Sequence, residues 1–305
     1  MYIHHPVLVT EVLEYLKCSE SKVYIDGTLG EGGHAERILE ESFPTGRVVG
    51  IDLDEDILQK AENRLKRFGS RVTFVRDNFK NIKTILPRVG LRQIDGFLID
   101  LGVSSLHFES RERGFSFQLD APLDMRLDQR NPMTAAQIVN QSGEAELADM
   151  LWRYGEERWS RRIARTICSR RRKAPISTTG QLAEIVASAI PAKYRPRKIH
   201  PATRTFQALR IMVNQELQGL EQAVIDGIDV LRAGSRICII SYHSLEDRIV
   251  KWTFRKLAKA EEANGICPGG PKIRILTPKP IIPSEAEIQG NPRARSAKLR
   301  VAEKC

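Results

Sequence analysis

The chain has 305 residues, 41% hydrophobic and 28% charged, an ordinary globular composition with room for one large core or a core plus a smaller domain. No apolar run reaches the roughly 20 residues of a membrane span, and the start, MYIHHPVLVTEVLEYL, lacks a signal-type pattern, so a cytoplasmic protein with no membrane partner is expected. The formal charge is +10, and Ser110 to Gln215 hold 19 Lys or Arg against 10 Asp or Glu while the rest has 29 against 28, a concentrated excess that suits a polyanion.

In chain order, Val9, Val12, Leu13 and Leu16 share a helical face, which predicts a lid or packing helix within Pro6 to Leu16. Val23 to Asp54 then reads VYIDGTLGEGGHAERILEESFPTGRVVGIDLD. An apolar run ends in Asp26, and Gly27, Gly30, Gly32 and Gly33 follow. A helical pattern carries Ala35, Ile38 and Leu39, and a second apolar run ends in Asp52. This is strand, glycine turn, helix, strand, an arrangement that lets a ligand approach backbone N–H groups and places an acid to bind a ribose hydroxyl pair. A nucleoside site is expected. A pyrophosphate cofactor wants a helix N-terminus clear of anions, whereas Asp26 and Glu31 would repel one. S-adenosylmethionine has a sulfonium, an ammonium and no phosphate, so it is favoured over NAD.

Asp54 can cap a helix running to about Phe68, and Val72 to Val75 predicts a third strand ended by Asp77, Asn78 and Phe79. The loop after that strand lies beside the adenine in such folds. Phe79 could stack there or serve as core, and Asp77 or Asn78 could accept from the adenine amino group. A fourth strand, Gly96 to Ile99, leads into DLGVSS (Asp100 to Ser105). Ligands bind beyond the carboxyl ends of parallel strands, so Asp100 belongs where donor and acceptor meet.

From about Ser110 the pattern turns helical for some hundred residues, with faces such as Leu147, Met150, Leu151, Tyr154 and Leu182, Ile185, Val186, Ala189. Two basic segments interrupt it. SRRRKAP contains Arg170, Arg171, Arg172 and Lys173; AKYRPRKIHPATR contains Arg195, Arg197, Lys198 and Arg204. Read as loops, they fit phosphate contact with base stacking. Phe206, Leu209, Val213 and Leu217 start a long helix pattern towards Leu231, and Ile237 to Ile240 predicts a fifth strand. Ser244 to Asp247 matches a capping box, which leaves Tyr242 and His243 at the strand tip. ICPGGPK (Ile266 to Lys272) reads as a loop, and the stretch from Asn291 to Lys304 is expected to end in an edge strand.

Together these stretches resemble the RsmH (MraW) family of bacterial small-subunit ribosomal RNA methyltransferases. The resemblance rests on HPVL (His5 to Leu8), YIDGTLGEGGH (Tyr24 to His34), DLGVSS, RGFSF (Arg113 to Phe117), PLDMR (Pro122 to Arg126), YGEER (Tyr154 to Arg158), HPATRTFQALRI (His200 to Ile211), SYHSLEDRIVK (Ser241 to Lys251) and NPRARSAKLR (Asn291 to Arg300). It implies an α/β fold, a Rossmann-like S-adenosylmethionine-dependent methyltransferase sheet with an inserted all-helical substrate domain. The expected division is 1–109, 110–215 and 216–305, the middle part recognising RNA. It also implies methylation of the exocyclic 4-amino group of a decoding-site (P-site) cytidine in 16S rRNA, with that rRNA expected within the small ribosomal subunit. The family's donor contacts carry over to Gly32, Gly33, His34, Asp52, Phe79 and Asp100. The family commonly has Pro-Gln after DLGVSS where this chain has Leu106 and His107, so whether His107 takes that contact is left open. Tyr242 replaces the usual Phe.

A cytosine amino nitrogen has its lone pair delocalised into the ring, so an enzyme must align it and accept its N–H bonds. Asp100 and Ser104 are expected to accept them, with Tyr242 or His243 closing the pocket. Methylation at ring carbon 5 would need a cysteine nucleophile, and the five cysteines (Cys18, Cys168, Cys238, Cys267, Cys305) are scattered with no CxxC pair. No metal is expected, because sulfonium methyl transfer needs none and no His or carboxylate cluster has helical ligand spacing; adjacent His4 and His5 could bind one adventitiously. Two rivals stay open, an NAD-dependent dehydrogenase and a non-catalytic RNA-binding assembly factor, as does a homodimer.

Overall fold

The computed structural model describes residues 6–196, 199–259 and 272–305. His4, His5, Arg197, Lys198 and Cys267 lie outside the described residues. Contacts divide the chain into a discontinuous unit, Met1–Val103 with Gln218–Cys305, and a continuous one, Ser104–Leu217.

The discontinuous unit is a seven-stranded sheet: β1 (Val23–Asp26), β2 (Arg47–Asp52), β3 (Val72–Arg76), β4 (Ile94–Asp100), β5 (Leu231–Ser241), β6 (Ile273–Ile275) and β7 (Lys298–Lys304), in the spatial order β3-β2-β1-β4-β5-β7-β6. The first five pair in parallel. Its helices are α1 (Val9–Leu16), α2 (Gly33–Glu41), α3 (Glu55–Leu65), α4 (Ile82–Arg88), α11 (Leu220–Asp229), α12 (Ser244–Ala258) and α13 (Glu285–Gly290). Helix-covered parallel strands must be apolar throughout, and all four residues of β1 are buried, Asp26 included. Asp54 caps α3 as expected, accepting from the Asp56 and Ile57 N–H groups.

Two expectations for this unit are corrected. The last strand is not an edge. β7 runs antiparallel between β5 and β6, pairing Cys238 with Val301 and Arg274 with Glu303. A three-residue β6 outside it supplies the edge, which explains why Leu299, Val301 and Ala302 are fully buried. The long helix read towards Leu231 is two helices. The first ends at Asn214, where Gln215 takes a left-handed φ of 49°, and Gly219 at φ 72° opens α11.

The continuous unit holds α5 (Ser105–Glu109), α6 (Ala135–Gln141), α7 (Glu144–Gly155), α8 (Ser160–Arg171), α9 (Thr179–Ala189) and α10 (Thr203–Asn214). Leu147, Leu151, Ile163, Leu182, Val186 and Leu209 are fully buried in its own core. Residues 110–134, read as helical from sequence, contain no helix or strand. They are braced by polar side chains instead. Arg113 donates to the Arg126 and Leu127 carbonyls at 3.0 and 3.1 Å. Arg126 grips Asp124 and donates to the Asn131 carbonyl. Asn214 accepts from the Leu127 N–H at 2.7 Å and donates to the Met125 carbonyl at 2.8 Å. The RGFSF and PLDMR stretches thus satisfy the polar backbone of an irregular segment.

Asn214→Leu strips two backbone groups of their partners in this brace. It is expected to destabilise the protein by roughly 1–3 kcal/mol in urea unfolding, with unchanged secondary-structure content at zero denaturant.

Candidate active site

β1, β2 and β4 are neighbours in the sheet, so their terminal residues, Asp26, Asp52 and Asp100, come together at its carboxyl end. Each is held by donors from the adjoining turns. The Asp52 carboxylate accepts from the Gly30 N–H at 2.9 Å and the Asp54 N–H at 3.0 Å. Asp26 accepts from the Thr28 N–H, and the Thr28 hydroxyl accepts from the Asp100 N–H at 2.6 Å, tying the first turn to the end of β4. Gly32 occupies the left-handed region at φ 80° as the α2 N-cap, where a side chain would also strike Leu65.

His34 is buried at the start of α2. Its Nε2 lies 2.9 Å from the Val7 carbonyl, which can only accept, so Nε2 carries the proton and Nδ1 faces Asp100 Oδ2 at 3.9 Å. The same bond pins the N-terminal segment over the turn. Pro6 packs close enough to Gly33 that an added Cβ would sit 3.0 Å from its Cγ, and the Leu8 N–H donates to Glu287 at 2.7 Å.

Tyr242 at the end of β5 donates its hydroxyl to Asp100. Burial and then the Asp100 charge push the phenol well above its ordinary range, so it stays a donor. Gly102 gives the ring its room, since a Cβ there would lie 2.7 Å from Tyr242 Cε2. The capping box falls one residue earlier than expected. His243, not Ser244, is the N-cap of α12: its Nδ1 accepts from the Glu246 N–H, and the Glu246 carboxylate accepts from the Tyr242 and His243 N–H groups. With His243 Nε2 3.1 Å from Glu246 Oε1, both ring nitrogens face the helix start.

Phe79 begins a 3-10 turn, Phe79–Asn81, with its Cβ 3.1 Å from where a side chain on Gly27 would begin. Its neighbours fix the loop. Asp77 accepts from Asn78, Asn81 and Arg88, bonds that outweigh burial and hold its carboxyl low, and Asn78 accepts from the Lys80 N–H. Within the continuous unit, the Ser104 hydroxyl caps α5 by accepting from the Leu106 N–H, and His107 is buried with its ring 4.9 Å from that of Phe115.

The basic segments are loops only in part, Arg172 to Pro175 and Arg195 lying outside the helices. Ser169 to Arg171 form the last turn of α8, and Arg171 donates to the Val139 and Ser142 carbonyls at 2.6 Å. Arg195 donates to the Ile190 carbonyl, and Arg204, on α10, to the Glu156 carbonyl. Arg170, Arg172 and Lys173 are exposed. Sequence reasoning missed Thr28, the role of Glu246 as acceptor for the Tyr242 and His243 N–H groups, and Glu287. A Thr two residues after a strand-end acid, and a Glu three after a strand-end His, are the local signals for the first two.

The donor set is acidic, and residues 26–34 carry no Lys or Arg. Asp26 Oδ2 is buried with no hydrogen-bond partner among the described residues. Burial, reinforced by Asp100 and Asp52 and opposed by His34 and the Thr28 N–H, raises the Asp26 carboxyl to about 6. Such a cradle fits a cation with a ribose and excludes a pyrophosphate. The sheet order and this site define an S-adenosylmethionine-dependent methyltransferase, with S-adenosylmethionine as its methyl donor. More narrowly, the chain belongs to the MraW methylase family, whose model matches residues 1–305.

The relatives named "Ribosomal RNA small subunit methyltransferase H" include one from Halothermothrix orenii, 49% identical over 309 residues with 100% of this chain and 99% of that protein covered. Another, from Syntrophus aciditrophicus, is 48% identical over 306 residues, covering 99% and 97%. An rRNA methylase structure from Streptococcus thermophilus aligns with a TM-score of 0.42 and 12% identity over 97% of this chain and 93% of that one.

An ionised Asp26 attracts a sulfonium or ammonium and a protonated one does not. Donor affinity, measured by calorimetric titration from pH 5 to 8, is therefore expected to weaken as pH falls through about 6, by up to about tenfold per unit. Asp26→Asn is expected to bind weakly throughout and to flatten that slope.

Proposed function

We propose that the chain transfers a methyl group from S-adenosylmethionine to the exocyclic 4-amino group of a decoding-site (P-site) cytidine in 16S rRNA, giving N4-methylcytidine, with the small ribosomal subunit as substrate. The observation that carries this reading is Asp100, a carboxylate at the tip of β4 fixed by Thr28 and Tyr242 and facing His34. The group there is an acceptor, suited to an amino nitrogen.

When bound, the donor would supply an electrophilic methyl, its S–CH₃ bond breaking to leave a neutral thioether. Asp52 is placed to accept from the ribose hydroxyls, the glycine turn with His34 and Phe79 to enclose the rest, and Asp26 to face the positive charge. Asp100 accepts an N–H of the cytosine amino group as the lone pair localises on nitrogen, and it holds the proton released when the new N–C bond forms. Tyr242 is a positioning residue that orients Asp100. His243 serves that arrangement as the cap that sets the start of α12, and Ser104 is the remaining candidate acceptor. Among the described residues ring-carbon chemistry finds no support, since Cys238 lies inside β5 with burial raising its thiol far above the ordinary range. Arg170, Arg172, Lys173, Arg195, Arg197, Lys198 and Arg204 are the candidate phosphate contacts, with Arg171 bracing the unit that carries them.

Incubation with labelled S-adenosylmethionine and small subunits from cells lacking the enzyme, followed by nucleoside analysis, is expected to put the label in N4-methylcytidine. Label in another nucleoside, or in none despite donor binding, overturns the reading.

With donor saturating, Asp100→Asn is expected to slow single-turnover methylation by about 10² or more. Tyr242→Phe is expected to slow it by about tenfold with donor affinity within about twofold. Wild-type rates in Asp100→Asn would remove Asp100 from the chemistry.

A further inference from the structure

Among the described residues, the outward face of α12 is a surface that the proposed chemistry does not use. Its inner face packs Val250, Thr253 and Phe254, all buried. Outward stand Arg248, Trp252, Arg255, Lys256 and Lys259, all exposed. Trp252 is 57% exposed, a large indole left in water. Arg255 Cζ lies 5.1 Å and Lys251 Nζ 5.6 Å from its ring centroid.

The acids of α12 are committed elsewhere. Asp247 accepts from Arg300 at 2.6 Å and lies 3.6 Å from Lys298, while Glu246 caps the helix start. Lys256 pairs with Glu221 at 3.3 Å. Lys251, Arg255 and Lys259 then form a cationic stripe around the indole, repeating every four residues, where like charges repel one another. Trp152, equally exposed at 59%, has the Asp149–Arg153 ion pair on its own helix instead.

We propose that this face of α12 is an RNA-binding surface on the catalytic unit, stacking an unpaired base on Trp252 and holding flanking phosphates with Lys251, Arg255 and Lys259. The proposal rests on the reading that RNA is the substrate and locates part of that RNA. Charge complementarity selects the occupant. A second copy docked symmetrically would set the same cations against themselves, whereas a single strand offers phosphates and a π-face together. The helix starts beside Tyr242 and Asp100 and extends about 20 Å away from them, so a strand leaving the target base can follow it.

Full-length wild type, W252A, W252F and K251E/R255E would be titrated with small subunits and with a short single-stranded RNA oligonucleotide across a salt series. Donor affinity in the same samples reports an intact fold. W252A is expected to bind the oligonucleotide about tenfold more weakly, W252F to keep most of the affinity, and K251E/R255E to flatten the salt dependence by about one to two in log–log slope. Unchanged affinity and slope in both W252A and K251E/R255E overturns the proposal. So does a change in sedimentation without a change in RNA affinity, which would assign the face to self-association. Failure of wild type to methylate subunits strikes the functional reading instead, and the oligonucleotide titration still decides the surface.

Discussion

Like charges in a low-dielectric site repel strongly, and the parallel sheet brings three carboxylates to the ends of adjacent strands. Asp26, Asp52 and Asp100 can share that space only because fixed donors meet them. The glycine turn supplies the Gly30 and Thr28 N–H groups, α3 begins with the Asp54 N–H, and β5 delivers the Tyr242 hydroxyl. Remove the donors and the acids must protonate or separate. The turn, the helix starts and the strand order thus serve one electrostatic end, a negative cradle assembled before a cation arrives.

That cradle was legible because its parts are local. A strand, a glycine turn and an acid about 20 residues on need no distant contact to be read, and the Asp54 cap sits directly before its helix. What could not be read is non-local. The insertion of β7 between β5 and β6 depends on strands that pair only in three dimensions. The segment 110–134 reads as helix because its stabilising groups, Arg113, Arg126 and Asn214, act through the Arg126, Asn131 and Met125 carbonyls at spacings that no helical period marks, Asn214 from almost 90 residues away. His243 was overlooked as a cap because Ser244 matches the common cap residues better, although an imidazole Nδ1 accepts an N–H equally well.

The basic excess of the inserted unit carries a related lesson. Arg113, Arg126, Arg171 and Arg210 all donate to carbonyls or carboxylates within that unit. Their charge remains, but their donors serve packing. A charge count therefore overstates how many guanidinium groups meet a ligand, and the exposed Arg170, Arg172 and Lys173 are a better measure. Conversely, the net charge of the remainder conceals a local stripe on α12, because acids buried in ion pairs cancel it on paper only.

The placement of the inserted unit between β4 and β5 also bears on how the protein is made. β4 is a central strand whose partner on one side is β5, and β5 begins about 130 residues further along the chain. At ribosomal speeds of about 5–20 residues per second, that gap leaves the apolar edge Phe97, Leu98 and Ile99 unpaired for on the order of ten seconds during synthesis. A folded insert completed in that interval would shorten the loop left to close. The nascent chain is therefore at its most aggregation-prone after the methyl-donor turn has formed and before the strand carrying Tyr242 has left the exit tunnel.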